Sequence, residues 1–308
     1  MIYQRQTGLT LIELMLGMTL SLFMLLGLTF LLLGGKASYR LQDQQAQVQE
    51  TGRYAIDVLT RAIRQAGYVN WNDWHAPILL SEDAEPNVMG LDARTLKKNT
   101  PAMEAMTAGV VNGSDVLAIR FFGADPDVDG ALLNCAGFSV AAPVAEADAD
   151  EQRSWSIFFV ARDASGEPEL RCKYRTQSGW NADAIARGVE SFQVLYGVDV
   201  HGNGAVQFMS AEEVNKLDAA DGAMPQMHWK KVSAIRIGLL VSGAQKIHTD
   251  ELIKQHDLFG AAYSDLHGGQ DTGVRIVDSA LPVASRNRVR SVFTQTIRLR
   301  NTSQRSGI

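Results

Sequence analysis

The sequence predicts an α+β fold in which one long N-terminal helix carries a β-rich domain. Three observations predict it. Leu14 to Leu33 are 20 consecutive residues without a formal charge. A helical spacing of apolar residues continues from there to Ala66. Beyond Tyr68 the chain breaks into short runs of β-branched and aromatic residues separated by polar, glycine-rich and acidic segments. With 46% hydrophobic and 20% charged residues the 308-residue chain has the composition of a folded protein. Its net charge of -5, with both signs interspersed, gives no global field pointing to nucleic acid or an acidic substrate.

As a helix, the uncharged run spans about 30 Å, the thickness of bilayer hydrocarbon, and is a candidate transmembrane segment. A secretory signal peptide is the alternative. The run is longer than the apolar part of such a peptide and lacks a small-x-small cleavage site before polar sequence begins. Arg5 precedes the span and Lys36 and Arg40 follow it, so counting positive charges mildly favours a cytoplasmic C-terminal side. Glu13 is a lone carboxylate at the start of the span. At mid-depth it costs at least about a few kcal/mol, and less near the interface, so it either finds a partner or sits hydrated among headgroups. The span holds no proline, and Gly17, Gly27, Gly34 and Gly35 are its points of flexibility.

After Lys36, residues Leu41, Val48, Ala55, Leu59, Ala62 and Ala66, with Ile56 and Ile63 alongside, form one apolar stripe, and Gln42, Gln44, Gln47, Glu50, Arg53, Arg61 and Arg64 are expected outside it. One helix from Leu9 to about Ala66 follows, roughly 85 Å long, with Gly67 as its stop. Strands are predicted at Asp115 to Phe122, Trp155 to Arg162, Glu169 to Arg175, Val189 to Val198, Val232 to Val241 and Val289 to Leu299. Residues 70–112, 141–153, 218–225 and 260–287 are expected to be loops or inserted elements. An amphipathic helix packed on an antiparallel sheet is a layered solution open to a domain of this size.

The only two cysteines, Cys135 and Cys172, lack the spacing of a metal site. They suit one disulfide in an oxidising compartment, the alternative being two buried thiols acting as small apolar residues. Asp125 to Gly130 opens like a calcium loop, but Ala136 stands where a bidentate glutamate is required, so an acidic turn is the expectation and no metal is assigned. Asp199 to Gly204 reads as a glycine-rich turn. The six histidines, His75, His201, His228, His248, His256 and His267, have no zinc-ligand spacing, and neither GxSxG nor a phosphate-binding loop is present, so no enzymatic activity and no cofactor are expected. Trp71 and Trp74 beside His75 are expected to pack near the helix end. In the last predicted strand Arg288, Arg290, Thr294, Thr296, Arg298 and Arg300 alternate with Val289, Ser291, Phe293, Ile297 and Leu299. A solvated basic face is the first expectation, and a docking surface for an acidic subunit or for phosphates the second.

The polar leader Met1 to Gly8, followed by Leu9-Thr10-Leu11-Ile12-Glu13-Leu14 and the apolar span, resembles the class III signal of type IV prepilins. The resemblance implies cleavage between Gly8 and Leu9 by a membrane prepilin peptidase on the cytoplasmic side, then methylation of the new amine on Leu9. The family usually has phenylalanine where this chain has Leu9. The amine of a neighbouring subunit becomes the implied partner of Glu13 during assembly. A second set of segments, Arg53-Tyr54-Ala55 leading to Arg64 to Tyr68, Gly113 to Leu117, Val194 to Asp199 and Thr296 to Asn301, resembles the PilW family of minor pilins.

That resemblance implies a pilin-like fold divided into a removed leader (1–8), a membrane and assembly half-helix (9–35), an amphipathic half-helix (36–67) and a β-rich head (68–308). It further implies an inner-membrane protein with a cytoplasmic N-terminus and a periplasmic head, passed into the pilus at the cell surface. There it would work with other minor pilins, the major pilin and a large tip adhesin to prime assembly, supporting twitching motility and adhesion, with nucleic acid not expected as a direct partner. The alternatives are a minor pseudopilin of a type II secretion system and, from another class, a signal-anchored periplasmic enzyme.

Overall fold

A computed structural model describes residues 8, 10–69, 84–125, 127, 130–143, 149–221, 226–247 and 254–301. Helix α1 runs unbroken over Leu11–Gln65, close to the expected 9–66, and Leu9 itself lies outside the described residues. At its C-terminal end Ala66 leaves helical backbone, and Gly67, at φ +65°, takes the left-handed conformation that glycine adopts without a Cβ penalty.

Thirteen strands, four short α-helices and one 3-10 helix (Asp278–Ala280) follow among the described residues. In chain order they are β1 (Val88–Leu91), β2 (Thr95–Leu96), β3 (Ala105–Met106), β4 (Val116–Phe121), α2 (Ala149–Gln152), β5 (Ser154–Arg162), β6 (Pro168–Thr176), β7 (Gly179–Arg187) and β8 (Val189–Val198). Then come β9 (Gln207–Met209), α3 (Ala211–Asp221), α4 (Met227–Lys230), β10 (Val232–Lys246), β11 (Gln255–Asp257), α5 (Ala261–His267), β12 (Arg275–Val277) and β13 (Arg288–Arg298). All six predicted strands are present, as β4, β5, β6, β8, β10 and β13. Edge strand β7 is not among the predicted strands, and the expected loop segments hold β1 to β3, α2, the end of α3, all of α5, and β12.

The strands form two principal antiparallel sheets, β1-β4-β5-β6-β7 and β13-β10-β8-β9. In the first, Leu117 pairs with Phe158 and Phe158 with Cys172, and in the second Leu239 lies between Phe192 and Phe293. Alternate residues therefore share a face. Leu117, Ile119, Phe158, Val160, Leu170 and Cys172 of the first sheet meet Phe192, Val194, Ile235, Ile237 and Leu239 of the second in one core. Helix α1 closes that core with Val48, Ala55, Leu59, Ala62, Ile63 and Ala66, lying mainly on β13 and β10. Full burial of a Leu, Ile or Phe contributes about 1.5–3 kcal/mol, so this face fixes the helix to the sheets.

The outer faces are covered too. Val116, Trp155, Ile157 and Phe159 pack with Leu96 outside the first sheet, and Leu258, Ile276 and Leu281 pack on Leu240 outside the second. One expectation for α1 is corrected here: Gln44 is buried rather than outside the stripe. Its Oε1 accepts the Gln245 amide at 3.1 Å beside Gly243, where a Cβ would come within 2.6 Å of that oxygen. A buried amide is tolerated because the strand supplies its partner.

Candidate assembly surface

The first half of α1 has no contact with the sheets. From Leu11 to Leu33 its large apolar side chains are 50 to 79% exposed. Such a continuous apolar surface marks a membrane or protein contact, and α1 is long and apolar enough to cross a bilayer. Its polar side chains are already satisfied within the helix. Thr19 donates to the Leu16 carbonyl at 2.9 Å, Ser21 to Gly17 at 2.7 Å and Thr29 to Leu25 at 2.7 Å, so none needs a donor or acceptor from outside. Gly17, Gly27, Gly34 and Gly35 face open space, leaving notches where another helix backbone can approach closely.

Glu13 is placed by the helix start. Thr10 is the N-cap, and its amide and hydroxyl donate to Glu13 Oε2 at 2.9 and 2.8 Å, while the Glu13 amide donates to Thr10 Oγ1 at 3.4 Å. This capping box gives the carboxylate two donors and the positive end of the helix dipole. Glu13 thus has a partner in its own chain, and Thr10-Leu11-Ile12-Glu13 carries the spacing that signals it. Gly8 is exposed, with nothing around it that a side chain would meet, and Leu9 lies outside the described residues.

The second half of α1 is locked to the head at three levels. Gln44 anchors it to β10 where the free segment ends. Gly52 lies under the Phe293 ring, and a Cβ there would stand 2.2 Å from the ring. At the C-terminal end the Gly67 amide donates to the Arg120 carbonyl at 2.9 Å, and Asn301 Nδ2 donates to the Ala66 carbonyl at 3.2 Å. The free segment therefore projects from a fixed base.

Asp115 and Ser114 link the two sheets, and a disulfide ties a turn to the first of them. Asp115, fully buried at the start of β4, accepts the Val194 amide at 2.9 Å and the Ala93 amide at 3.0 Å, and its own amide donates to Phe192. Burial first, and then the Asp92 and Asp271 charges, push its carboxyl well above the usual range. Beside it Ser114 Oγ accepts the Phe192 amide at 3.2 Å. Cys135 and Cys172 are disulfide-bonded with Cα atoms 5.9 Å apart, tying the Asn134–Gly137 turn to the middle of β6.

Residues 157–301 match the family model of type IV pilus-assembly protein W, PilW. Over these residues the chain is similar to the PilW family. No curated protein and no solved structure matches the chain. The PilW segment runs from β5 through β13 and includes Val194 to Asp199 and Thr296 to Asn301, whereas Arg53 to Tyr68 and Gly113 to Leu117 lie before it. The contacts at Asn301 and Asp115 join these outlying segments to it.

Within the PilW segment the basic face expected on the last strand is corrected. Arg288 and Arg290 are buried, Arg288 donating to both Glu167 oxygens at 2.6 and 2.8 Å. Arg290 is bidentate on Glu190 at 2.6 and 3.1 Å and reaches Asp278 at 2.7 Å. Their charge is spent inside the fold, and of the four arginines only Arg298 and Arg300 are exposed.

The remaining candidates are structural as placed. Asp125 Oδ1 accepts the Asp127 amide at 3.0 Å, while Pro126, Val128 and Asp129 lie outside the described residues. Asp199 accepts the Asn203 and Gly204 amides at 3.2 and 2.8 Å, closing the turn between β8 and β9. His228 is buried with Nδ1 2.9 Å from Asp218. Among the described residues no three His, Cys, Asp or Glu side chains are grouped to hold a metal. His75, His248, Trp71 and Trp74 lie outside those residues.

Proposed function

We propose that this chain is a minor pilin, a low-copy structural subunit that helps to prime assembly of the type IV pilus as part of a tip-associated complex. The observation that carries this reading is the continuity of α1: one unbroken helix is an exposed apolar rod over its first half and the buried spine of the head over its second. A rod fixed this way suits transfer of the helix from lipid into a bundle of like helices without unfolding of the head. The match to PilW supports the pilus as the setting.

In this reading the prepilin peptidase cuts after Gly8, Leu9 becomes the methylated N-terminus, and the head lies on the periplasmic side until incorporation. Glu13 exchanges part of its capping interaction for the amine of a neighbouring subunit. Other minor pilins, the major pilin and a large tip adhesin are the partners, and twitching motility and adhesion depend on the chain through assembly rather than through chemistry of its own. The test is deletion of the gene with complementation, followed by imaging of surface pili and assay of type II secretion. Loss of pili with secretion intact is the expected result. Normal piliation with defective secretion would place the chain among pseudopilins, and both processes intact would remove the assembly role.

A further inference from the structure

The stretch from Gln255 to Val277, comprising β11, α5 and β12, is a lobe on the outer face of the second sheet, held by Leu258 and Ile276 on Leu240. At one end its turn Asp271–Gly273 rests on the turn Asn112–Gly113. Gln193 Nε2 donates to Gly113 O at 2.8 Å and to Thr272 O at 3.3 Å, joining both turns through one side chain. A Cβ on Gly113 would come within 2.7 Å of Thr272 O, so the turns meet backbone to backbone.

Asp271 is buried at this junction, 7% exposed. Its Oδ2 accepts the Tyr263 hydroxyl at 3.0 Å, and its Oδ1 has no hydrogen-bond partner among the described residues. The charged groups around it are mostly acidic. Asp115 comes from the start of β4, Asp92 from the turn after β1 and Glu213 from α3. The Arg94 guanidinium donates to the Asp92 and Ala93 carbonyls instead of a carboxylate. His267 stacks on Tyr263 at 4.4 Å with Nδ1 4.0 Å from Glu213. Burial, reinforced by Asp92 and Glu213 and opposed by the Tyr263 hydroxyl, raises the Asp271 carboxyl from the ordinary 3.8 to about 7.

We propose that Asp271 is a proton-operated latch for the lobe. Protonated, it rests uncharged beside Asp92, Asp115 and Glu213, and the lobe stays docked. Ionised, it is repelled by Asp92 and Glu213 in a site that offers Oδ1 no donor, and docking weakens. The carboxyl titrates higher when docked than when open, so the docked state holds the extra proton between the two values. Docking is therefore strongest below the ordinary carboxylate range and is lost progressively as pH rises through about 7.

Hydrogen exchange on the full chain in detergent micelles tests the latch, with rates corrected for intrinsic pH dependence and β10 as the internal reference. Relative protection of residues 255–277 is expected to fall roughly tenfold per unit between about pH 5 and 7 and to level off above. Asp271→Asn, which cannot ionise, should abolish the fall. Tyr263→Phe removes the hydroxyl that favours the ionised form, so its levelling point should move to higher pH. A wild-type lobe with no relative fall over that interval, an Asp271→Asn chain that keeps it, or an unmoved levelling point in Tyr263→Phe would overturn the proposal. The Tyr263→Phe arm still decides the matter where Asp271→Asn does not fold.

Discussion

Asn301 donates its side-chain amide to the backbone carbonyl of Ala66, 235 residues earlier, so the residue beyond the last strand closes the end of the N-terminal helix. Orphan carbonyls at a helix end need partners, and here the partner comes from the far end of the described chain. Asn301→Ala should cost about 1 kcal/mol. Gly67→Ala should cost more, since φ is +65° and a Cβ would stand 2.5 Å from Asn87 Nδ2. Thermal unfolding of the two full-length variants, followed by near-ultraviolet circular dichroism, checks the order.

The Arg290–Glu190 pair is buried on both sides, with side chains 1 and 2% exposed. Removing one partner leaves an uncompensated charge in the core, and Arg290→Met should cost roughly 3–5 kcal/mol. Combining it with Glu190→Leu should recover part of that loss, because the stranded carboxylate is removed as well. Urea unfolding of the three variants measures the coupling, and additive losses would show that the two side chains act independently.

Much of the architecture is legible in the sequence, and the elements that are not depend on partners distant in the chain. The six strands rich in β-branched and aromatic residues, from Val116–Phe121 to Arg288–Arg298, announce themselves by composition. Gly179–Arg187 does not: it holds three alanines, an asparagine and an aspartate, and becomes a strand because β6 offers it an edge. Arg288 and Arg290 looked like a surface charge row because their partners, Glu167 and Glu190, lie 121 and 100 residues away. Gln44 was misplaced for the same reason, its acceptor role being defined by Gln245. The capping box at Thr10 and Glu13 is local and could have been read directly from its spacing.

The Cys135–Cys172 bond closes a 37-residue separation and should contribute roughly 3–4 kcal/mol through restriction of the unfolded chain. Cys172→Ser is expected to lower the urea midpoint and to raise protease sensitivity around Asn134 to Phe138. Alkylation of the denatured protein with and without prior reduction checks the bond itself: two sulfurs should react only after reduction.

Glu13→Leu removes the carboxylate from the free end of α1 while keeping its bulk. A charge inside a span costs about a few kcal/mol in hydrocarbon, so membrane insertion of the variant should equal or exceed that of the wild type. Its recovery in sheared pilus fractions should fall several-fold. Glu13→Gln separates the two roles of the side chain, because the amide oxygen can still accept from Thr10 whereas the charge needed to pair with an amine is gone. Assembly by the glutamine variant at the wild-type level would assign Glu13 to capping alone.

Whether α1 enters the filament as a processed N-terminal helix is read from the intact mass and N-terminal sequence of the chain recovered from sheared pili. A mature chain beginning at a methylated Leu9 is expected in the pilus fraction, with Gly8→Ala held as full-length precursor in the membrane. A chain still beginning at Met1 in the pilus fraction, or one absent from pili while the strain remains piliated and its membranes hold the mature form, would contradict it.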